Sequence, residues 1–271
     1  MIDTKPKTSD NVVTTANFSA ELAAEFQSVS VEYRRLDGSV IKALDNVDLR
    51  IREGELVVFV GQSGCGKTTA LNVISGLAKP SLGQITVLGK PPKSALDDMG
   101  YMFARDALLP WRTALGNVEF GMEIRGVDEK TRKATARQNL EMVRLGHLME
   151  NYPQQLSQGQ RQRVALARTW ALHPRLLLMD EPFAALDAQT RESLQEEFLR
   201  TWEQDKRTIV FVTHDINEAI MLADRIVAFH DGKVVEEFQV TFDRPRDLFE
   251  ISADPESRAI FNEIRKILAH D

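Results

Sequence analysis

The chain has 271 residues, of which 43% are hydrophobic and 27% charged, with a formal net charge of −6 and a single cysteine. That length fits one large α/β domain with an inserted subdomain better than two independent folds, and the acidic balance argues against a general nucleic-acid binder, which carries a basic surplus. One cysteine excludes an internal disulfide framework and fits a reducing cytosol, no apolar run approaches the roughly 20 residues that span a bilayer, and no secretory signal pattern opens the sequence.

Residues 1–20 are rich in Thr, Ser, Asn, Asp and Lys with little periodicity, which predicts a mobile tail. Val29, Val31 and Tyr33 then alternate, as do Val47, Leu49 and Ile51, and both patterns predict strands with one buried face. Leu56-Val57-Val58-Phe59-Val60 is a continuous apolar run, the mark of a fully buried strand. Gly61-Gln62-Ser63-Gly64-Cys65-Gly66-Lys67-Thr68 follows at once and meets the phosphate-loop pattern G-x-x-x-x-G-K-[ST]. Ala70, Leu71, Ile74 and Leu77 recur at helical spacing after it, so the pattern lies in the strand-loop-helix context it needs. Glycines let such a loop wrap closely enough for its N–H groups to face a phosphate, and the helix behind adds the positive end of its dipole. Lys67 is then placed for the β- and γ-phosphates and the Thr68 hydroxyl for Mg²⁺, with Thr69 completing the nucleotide-binding stretch. Cys65 reads as a small loop residue whose N–H binds, not as a nucleophile or metal ligand.

Further along, Thr113 opens a helical stretch closed by Gly126, and Asp128 opens another closed by Gly146. Leu156-Ser157-Gln158-Gly159-Gln160 precedes the helical pattern of Val164, Ala167 and Ala171, with Ser157 and Gln160 spaced as a capping box. A second buried run, Leu176-Leu177-Leu178-Met179, ends in Asp180 and Glu181. These are two solvated acids at a strand end or, beside a phosphate loop, a group holding Mg²⁺ through water (Asp180) and a base for the attacking water (Glu181). Phe183-Ala184-Ala185-Leu186-Asp187 follows, then a strand from Thr208 to Thr213 ending at His214. Asp231-Gly232 between two apolar runs is a hairpin signal, and Ile260, Phe261, Ile264 and Ile267 suit a short amphipathic helix within a terminal segment at 246–271.

With Leu-Ser-x-Gly-Gln at the start of a helix, between a phosphate loop and an acid pair, the chain resembles the ATP-binding cassette family, whose hallmark there is Leu-Ser-Gly-Gly-Gln. The resemblance implies a P-loop NTPase (RecA-like) α/β core with an antiparallel β subdomain and an inserted α-helical subdomain at about 104–168, all within an ATPase domain at 21–245. It implies ATP and Mg²⁺ as ligands, held between two copies of the chain. Lys67, Glu181 and His214 would then be catalytic, with His214 sensing the γ-phosphate. Ser157, Gly159 and Gln160 would meet the nucleotide of the opposite subunit and Asp187 would signal across the pair. Tyr33 is either a packing residue or the adenine-stacking aromatic.

Two positions depart from the family pattern. Gln158 replaces the first signature glycine, and Ala104 stands where related cassettes carry a glutamine that touches Mg²⁺ and the membrane subunit. Arg105 or Asp106 could substitute in part, or Arg105 is a solvated surface charge. The run Leu108-Leu109-Pro110-Trp111-Arg112-Thr113 and the short tail look like the nitrate, sulfonate and taurine importer branch, although the run also reads as core packing. The expectation is an ATP-hydrolysing motor subunit of a small-anion importer, peripheral on the cytoplasmic face of the inner membrane. Its partners would be a second cassette in a homodimer, transmembrane permease subunits and, indirectly, a solute-binding protein, with no nucleic acid. The alternatives are a soluble non-transport cassette ATPase and an ATP-binding regulator with weak hydrolysis, which Ala104 keeps open.

Overall fold

Alternating and continuous apolar runs end in two different sheets. The computed structural model describes residues 21–35, 37–246, 251 and 253–269; the tail expected at 1–20 lies outside the described residues. The alternating runs form β1 (Leu22–Arg34) and β2 (Val40–Arg52), which join β4 (Leu82–Val87) in an antiparallel sheet of order β2-β1-β4. The continuous runs form β3 (Leu56–Val60), β6 (Leu176–Asp180) and β7 (Thr208–Thr213). These join β5 (Met99–Met102), β8 (Arg225–His230) and β9 (Lys233–Gln239) in a six-stranded sheet of order β5-β6-β7-β3-β8-β9, parallel except for β9.

A parallel sheet is stable only when both faces are covered, which is why its strands read as unbroken hydrophobic runs. Successive residues of β3 divide between two cores accordingly. Leu56, Val58 and Val60 face one, with Phe211, Phe183 and Trp202; Val57 and Phe59 face the other, with Phe26, Leu44, Leu71 and Ile74. The second core is closed by the antiparallel sheet and by α1 (Lys67–Ile74). The first is closed by α2 (Ala114–Ile124), α3 (Glu129–Met142), α4 (Gln158–Trp170), α5 (Ala188–Gln204), α6 (Ile216–Leu222) and α7 (Pro255–Ala269). Helix α7 packs against α6 and β8 through Ile260 and Ile264.

Side-chain caps start the helices where expected. The Thr113 hydroxyl accepts from Gly116 N–H at 3.2 Å and the Asp128 carboxylate from Thr131 N–H at 3.0 Å. Two endings differ from the expectation. Helix α1 stops at Ile74, because Gly76 turns left-handed (φ 72°) and donates to the Val73 carbonyl, so Leu77 falls outside it and is exposed. Helix α3 is closed by Arg144, not Gly146. Arg144 takes φ 56° and donates to Glu141 O at 2.9 Å while Leu145 donates to Leu140 O at 2.7 Å, the paired bonds of a Schellman ending. The Arg144 guanidinium then lies 3.0 Å from Glu197 on α5. Asp231 and Gly232, with φ 44° and 75°, make the tight β8–β9 turn that their sequence signals.

Candidate nucleotide site

Parallel register brings three chain segments to one edge of the sheet. Val60 lies opposite Thr213, and Asp180 opposite Val212, so Gly61, Glu181 and His214 all emerge at the carboxyl ends of β3, β6 and β7. That edge is where open α/β sheets bind ligands.

The loop from β3 to α1 is built for close approach. A Cβ on Gly61 would stand 2.5 Å from the Phe229 carbonyl oxygen and from Cys65 Sγ, and one on Gly66 (φ 111°) would stand 2.5 Å from the Ala43 carbonyl. Gly232 in the β8–β9 turn donates to Cys65 O at 3.0 Å and braces the loop from behind. Lys67 is buried, and its ammonium donates to the Gly61 and Gln62 carbonyls at 2.7 and 2.8 Å, centred over the loop it would share with a phosphate. No side chain caps the N-terminus of α1, so its first N–H groups are left for an anion. Cys65 is buried, and burial raises its thiol above the ordinary range, consistent with an inert loop residue. Ser63 and Gly64 are exposed and Thr69 half-buried.

Beside the loop, the Thr68 hydroxyl donates to Asp180 Oδ1 at 3.0 Å. Burial pushes the Asp180 carboxyl up and the nearby Glu181 charge adds to this, against the Thr68 hydrogen bond and Lys67. Burial, with the charge of Asp180, also keeps the Tyr101 phenol neutral, while its hydroxyl donates to Asn72 Oδ1 at 3.3 Å. Among the described residues no three His, Cys, Asp or Glu side chains group to hold a metal ion. A hydroxyl and one carboxylate instead match the oxygen donors Mg²⁺ takes when substrate phosphates and water complete its shell, so the residues present fit that ion. Glu181 has a left-handed backbone (φ 45°), donates its N–H to Val212 O at 3.0 Å, and carries Oε2 3.1 Å from Nδ1 of His214. Lys67, Thr68, Asp180, Glu181 and His214 are therefore gathered into one site.

The other expected residues form a second group. The Ser157 hydroxyl accepts from Gln160 N–H at 3.3 Å and the Gln160 amide oxygen from Ser157 N–H at 2.8 Å, completing the capping box of α4. Gly159 is buried, and a Cβ there would stand 2.7 Å from Thr190 Cγ2, so its bareness lets α4 approach the start of α5. Asp187 caps α5, accepting from Thr190 N–H at 3.0 Å, and the hydrogen bonds from Thr190 hold its carboxyl below the usual range. Among the described residues no hydrogen bond joins this group to the first. Tyr33 is exposed rather than packed; it pairs with Ile41, two residues from the Ala43 carbonyl that abuts Gly66.

At the departing position, Ala104 and Arg105 are exposed. Asp106 is committed elsewhere: its carboxylate meets Arg161 at 3.0 Å and Leu108 N–H at 3.2 Å, and Arg168 donates to the Asp106 and Ala107 carbonyls at 2.8 and 2.7 Å. In this structure it is a strut to α4. Trp111 is 70% exposed, against the core-packing reading, whereas Leu108 and Leu109 are half-buried. Sequence reasoning missed two contacts. The Gln62 side chain donates to the Leu268 carbonyl of α7, tying the terminal helix to the phosphate loop. The Gln162 side chain on α4 donates to the carbonyls of Pro182 and, at 3.4 Å, Ala104. Only the helical period, which puts Gln162 among buried positions of α4, hinted at the second.

A phosphate loop, an acid pair and a histidine at the carboxyl edge of a parallel sheet define a P-loop nucleoside triphosphatase. The family model described as ABC transporter matches residues 44–184, more than half of the chain. An uncharacterized ABC transporter ATP-binding protein of Methanocaldococcus jannaschii is 46% identical over 213 residues, 78% of this chain and 80% of that protein. The taurine import ATP-binding protein TauB of Pseudomonas putida is 44% identical over 80% of this chain and 83% of its own length. The bicarbonate transport ATP-binding protein CmpD of Synechocystis is 43% identical over 78% of this chain and 77% of its own. Among solved structures, the dimeric ATP-binding cassette MJ0796 in a post-hydrolysis state with ADP and Pi is 35% identical, with a TM-score of 0.73, covering 81% of this chain and 100% of that one. The chain belongs to the ABC transporter family and is one of its ATP-binding, ATP-hydrolysing cassettes.

Proposed function

We propose that this cassette is the motor subunit of an importer for a small anion of the nitrate, sulfonate or taurine kind. It would work as a pair of identical copies on permease subunits at the cytoplasmic face of the inner membrane, with a solute-binding protein delivering the cargo. The observation that carries the reading is the assembled group of Lys67, Thr68, Asp180, Glu181 and His214, in a chain whose relatives include ATP-binding subunits for taurine and bicarbonate transport. Among the described residues no helix is long and apolar enough to cross a membrane. The exposed Trp111 beside the half-buried Leu108 and Leu109 is the surface proposed to meet the permease subunits.

Each step falls to a named group. The loop N–H groups and the start of α1 would hold the phosphates, and the Lys67 ammonium would transfer from two carbonyls to the β- and γ-oxygens. Thr68 and Asp180 would hold Mg²⁺, which when bound neutralises the phosphate charge. Glu181 would take the proton from the attacking water, oriented by His214 at 3.1 Å. Ser157 and Gly159 of the second copy would close the site over the γ-phosphate. The relatives do not favour a soluble, non-transport cassette.

The test is steady-state phosphate release by the isolated chain and by its complex with permease subunits, followed by ATP-dependent uptake of nitrate, taurine or a sulfonate into proteoliposomes. Hydrolysis stimulated by the permease and coupled to uptake is the expected result. Hydrolysis indifferent to the permease, with no uptake of any of the three, would refute the importer reading.

A further inference from the structure

Glu181 sits in a backbone conformation that a non-glycine residue holds only when its surroundings fix it. Two of the contacts that fix it come from different elements. From β7, the Val212 carbonyl accepts the Glu181 N–H. From α4, the buried Gln162 amide donates to the carbonyl of Pro182, the very next residue. Pro182 has no N–H, so its buried carbonyl is its one backbone means of attachment.

The same Gln162 nitrogen reaches the Ala104 carbonyl at 3.4 Å. Two further side chains of that helix hold the same loop: Arg161 takes the Asp106 carboxylate, and Arg168 takes the carbonyls of Asp106 and Ala107. The loop at 104–107 is therefore tied to α4, and one amide joins loop, helix and the turn carrying Glu181. An open cavity of about 520 Å³, lined by Ala104, Asp106, Gln158, Gln162 and Leu186 among others, lies where these meet and gives the loop room to shift. Position 104 offers only a methyl side chain, so its linkage to the site runs through its backbone carbonyl.

We propose that Gln162 is a positioning residue for ATP hydrolysis, holding Glu181 in register and transmitting displacement of the 104–107 loop to it. The proposal rests on the reading of Glu181 as the base. An unpaired Pro182 carbonyl frees the turn at 181–184, and a misplacement of about 1 Å in a catalytic group costs up to a hundredfold in rate. Nucleotide binding, made by residues 61–69, is left alone.

The test uses the full-length chain with two variants of similar size, Gln162→Met, which lacks both donors, and Gln162→Glu, which turns an acceptor toward two carbonyls. Both should lower kcat roughly ten- to a hundredfold, with affinity for a fluorescent ATP analogue within about twofold of wild type by the same reasoning. Hydrogen exchange should rise at residues 181–184 while the amides of α4 stay protected. Because a protonated carboxyl can still donate, the ratio of Gln162→Glu to wild-type kcat should rise as pH falls. Wild-type kcat in both variants would overturn the proposal. So would a loss of kcat matched by equal losses of nucleotide affinity and thermal midpoint, which marks a purely structural role. Full turnover in Glu181→Gln, measured alongside, would instead remove the reading of the base on which the proposal stands.

Discussion

Replacing Gly66 by alanine tests the phosphate loop at its tightest point. Its φ of 111° lies in the left-handed region, and the added Cβ would stand 2.5 Å from the Ala43 carbonyl oxygen and 3.0 Å from Leu44 Cδ2, with Gly232 Cα 3.4 Å away. The nearest neighbour is backbone of β2, held in turn by the Asp45 N–H to Gly232 carbonyl bond of 2.9 Å, so it cannot rotate aside. The conformational penalty is about 1–2 kcal/mol and overpacking adds about 1–3, a total of about 2–5 kcal/mol. A domain stable by about 5–15 kcal/mol survives that, with a thermal midpoint lowered by roughly 5–15 °C. Relief comes by displacing the loop, which carries the Gly61 and Gln62 carbonyls and the N–H groups meant for phosphate. ATP-analogue affinity measured by fluorescence titration should then fall at least about tenfold, the equivalent of 1.4 kcal/mol. Wild-type affinity together with an unchanged midpoint would refute the close-approach argument.

Asp180→Asn should stabilise the ligand-free chain while abolishing Mg²⁺-dependent turnover. Burial raises the folded-state pKa of Asp180, so the folded chain holds this proton more tightly than the unfolded one and the carboxylate's penalty grows as pH rises above the ordinary carboxylate value of 3.8. The stability gain of the variant should accordingly be absent at low pH and appear through that window in denaturant titrations; a gain independent of pH would contradict the assignment. Ser157→Ala removes one arm of the capping box of α4 and should cost about 1 kcal/mol, with hydrolysis falling much further because the same hydroxyl would serve the partner's nucleotide. A rate loss no larger than the stability loss would leave Ser157 as a cap alone. Ala104→Gln should raise the basal hydrolysis of the isolated chain and shrink its stimulation by the permease, and unchanged values of both would remove position 104 from consideration.

The phosphate loop was legible because everything it needs is contiguous: a buried run ending at Val60, glycines at 61, 64 and 66, Lys67 and a helix. Asp180 and Glu181 were legible as two acids ending a buried run beside a phosphate loop, and His214 through its place in the order of the family's motifs, whereas the parallel register that brings the three to one edge showed only in the structure. Capping residues Thr113, Asp128 and Ser157 showed themselves by local side-chain chemistry. Helix endings were harder. Arg144 closes α3 in a conformation glycine usually supplies, with Glu197 of α5 beside its side chain, a contact more than fifty positions away. The bonds from Gln162 to Pro182 and from Gln62 to Leu268 are likewise long-range, and neither residue type signals its partner. Gly159 carried two meanings at once, and only the 2.7 Å approach to Thr190 revealed the packing one.

The central claim is that Glu181 is the base of an ATPase whose nucleotide is held by Lys67, Thr68 and Asp180. The measurement is phosphate release by Glu181→Gln, with ATP-analogue binding and the sedimentation of the ATP-bound variant followed on the same preparation. Turnover should fall about 10²- to 10⁴-fold, nucleotide binding should persist, and a dimer should accumulate with ATP. Wild-type phosphate release by the variant would contradict the account.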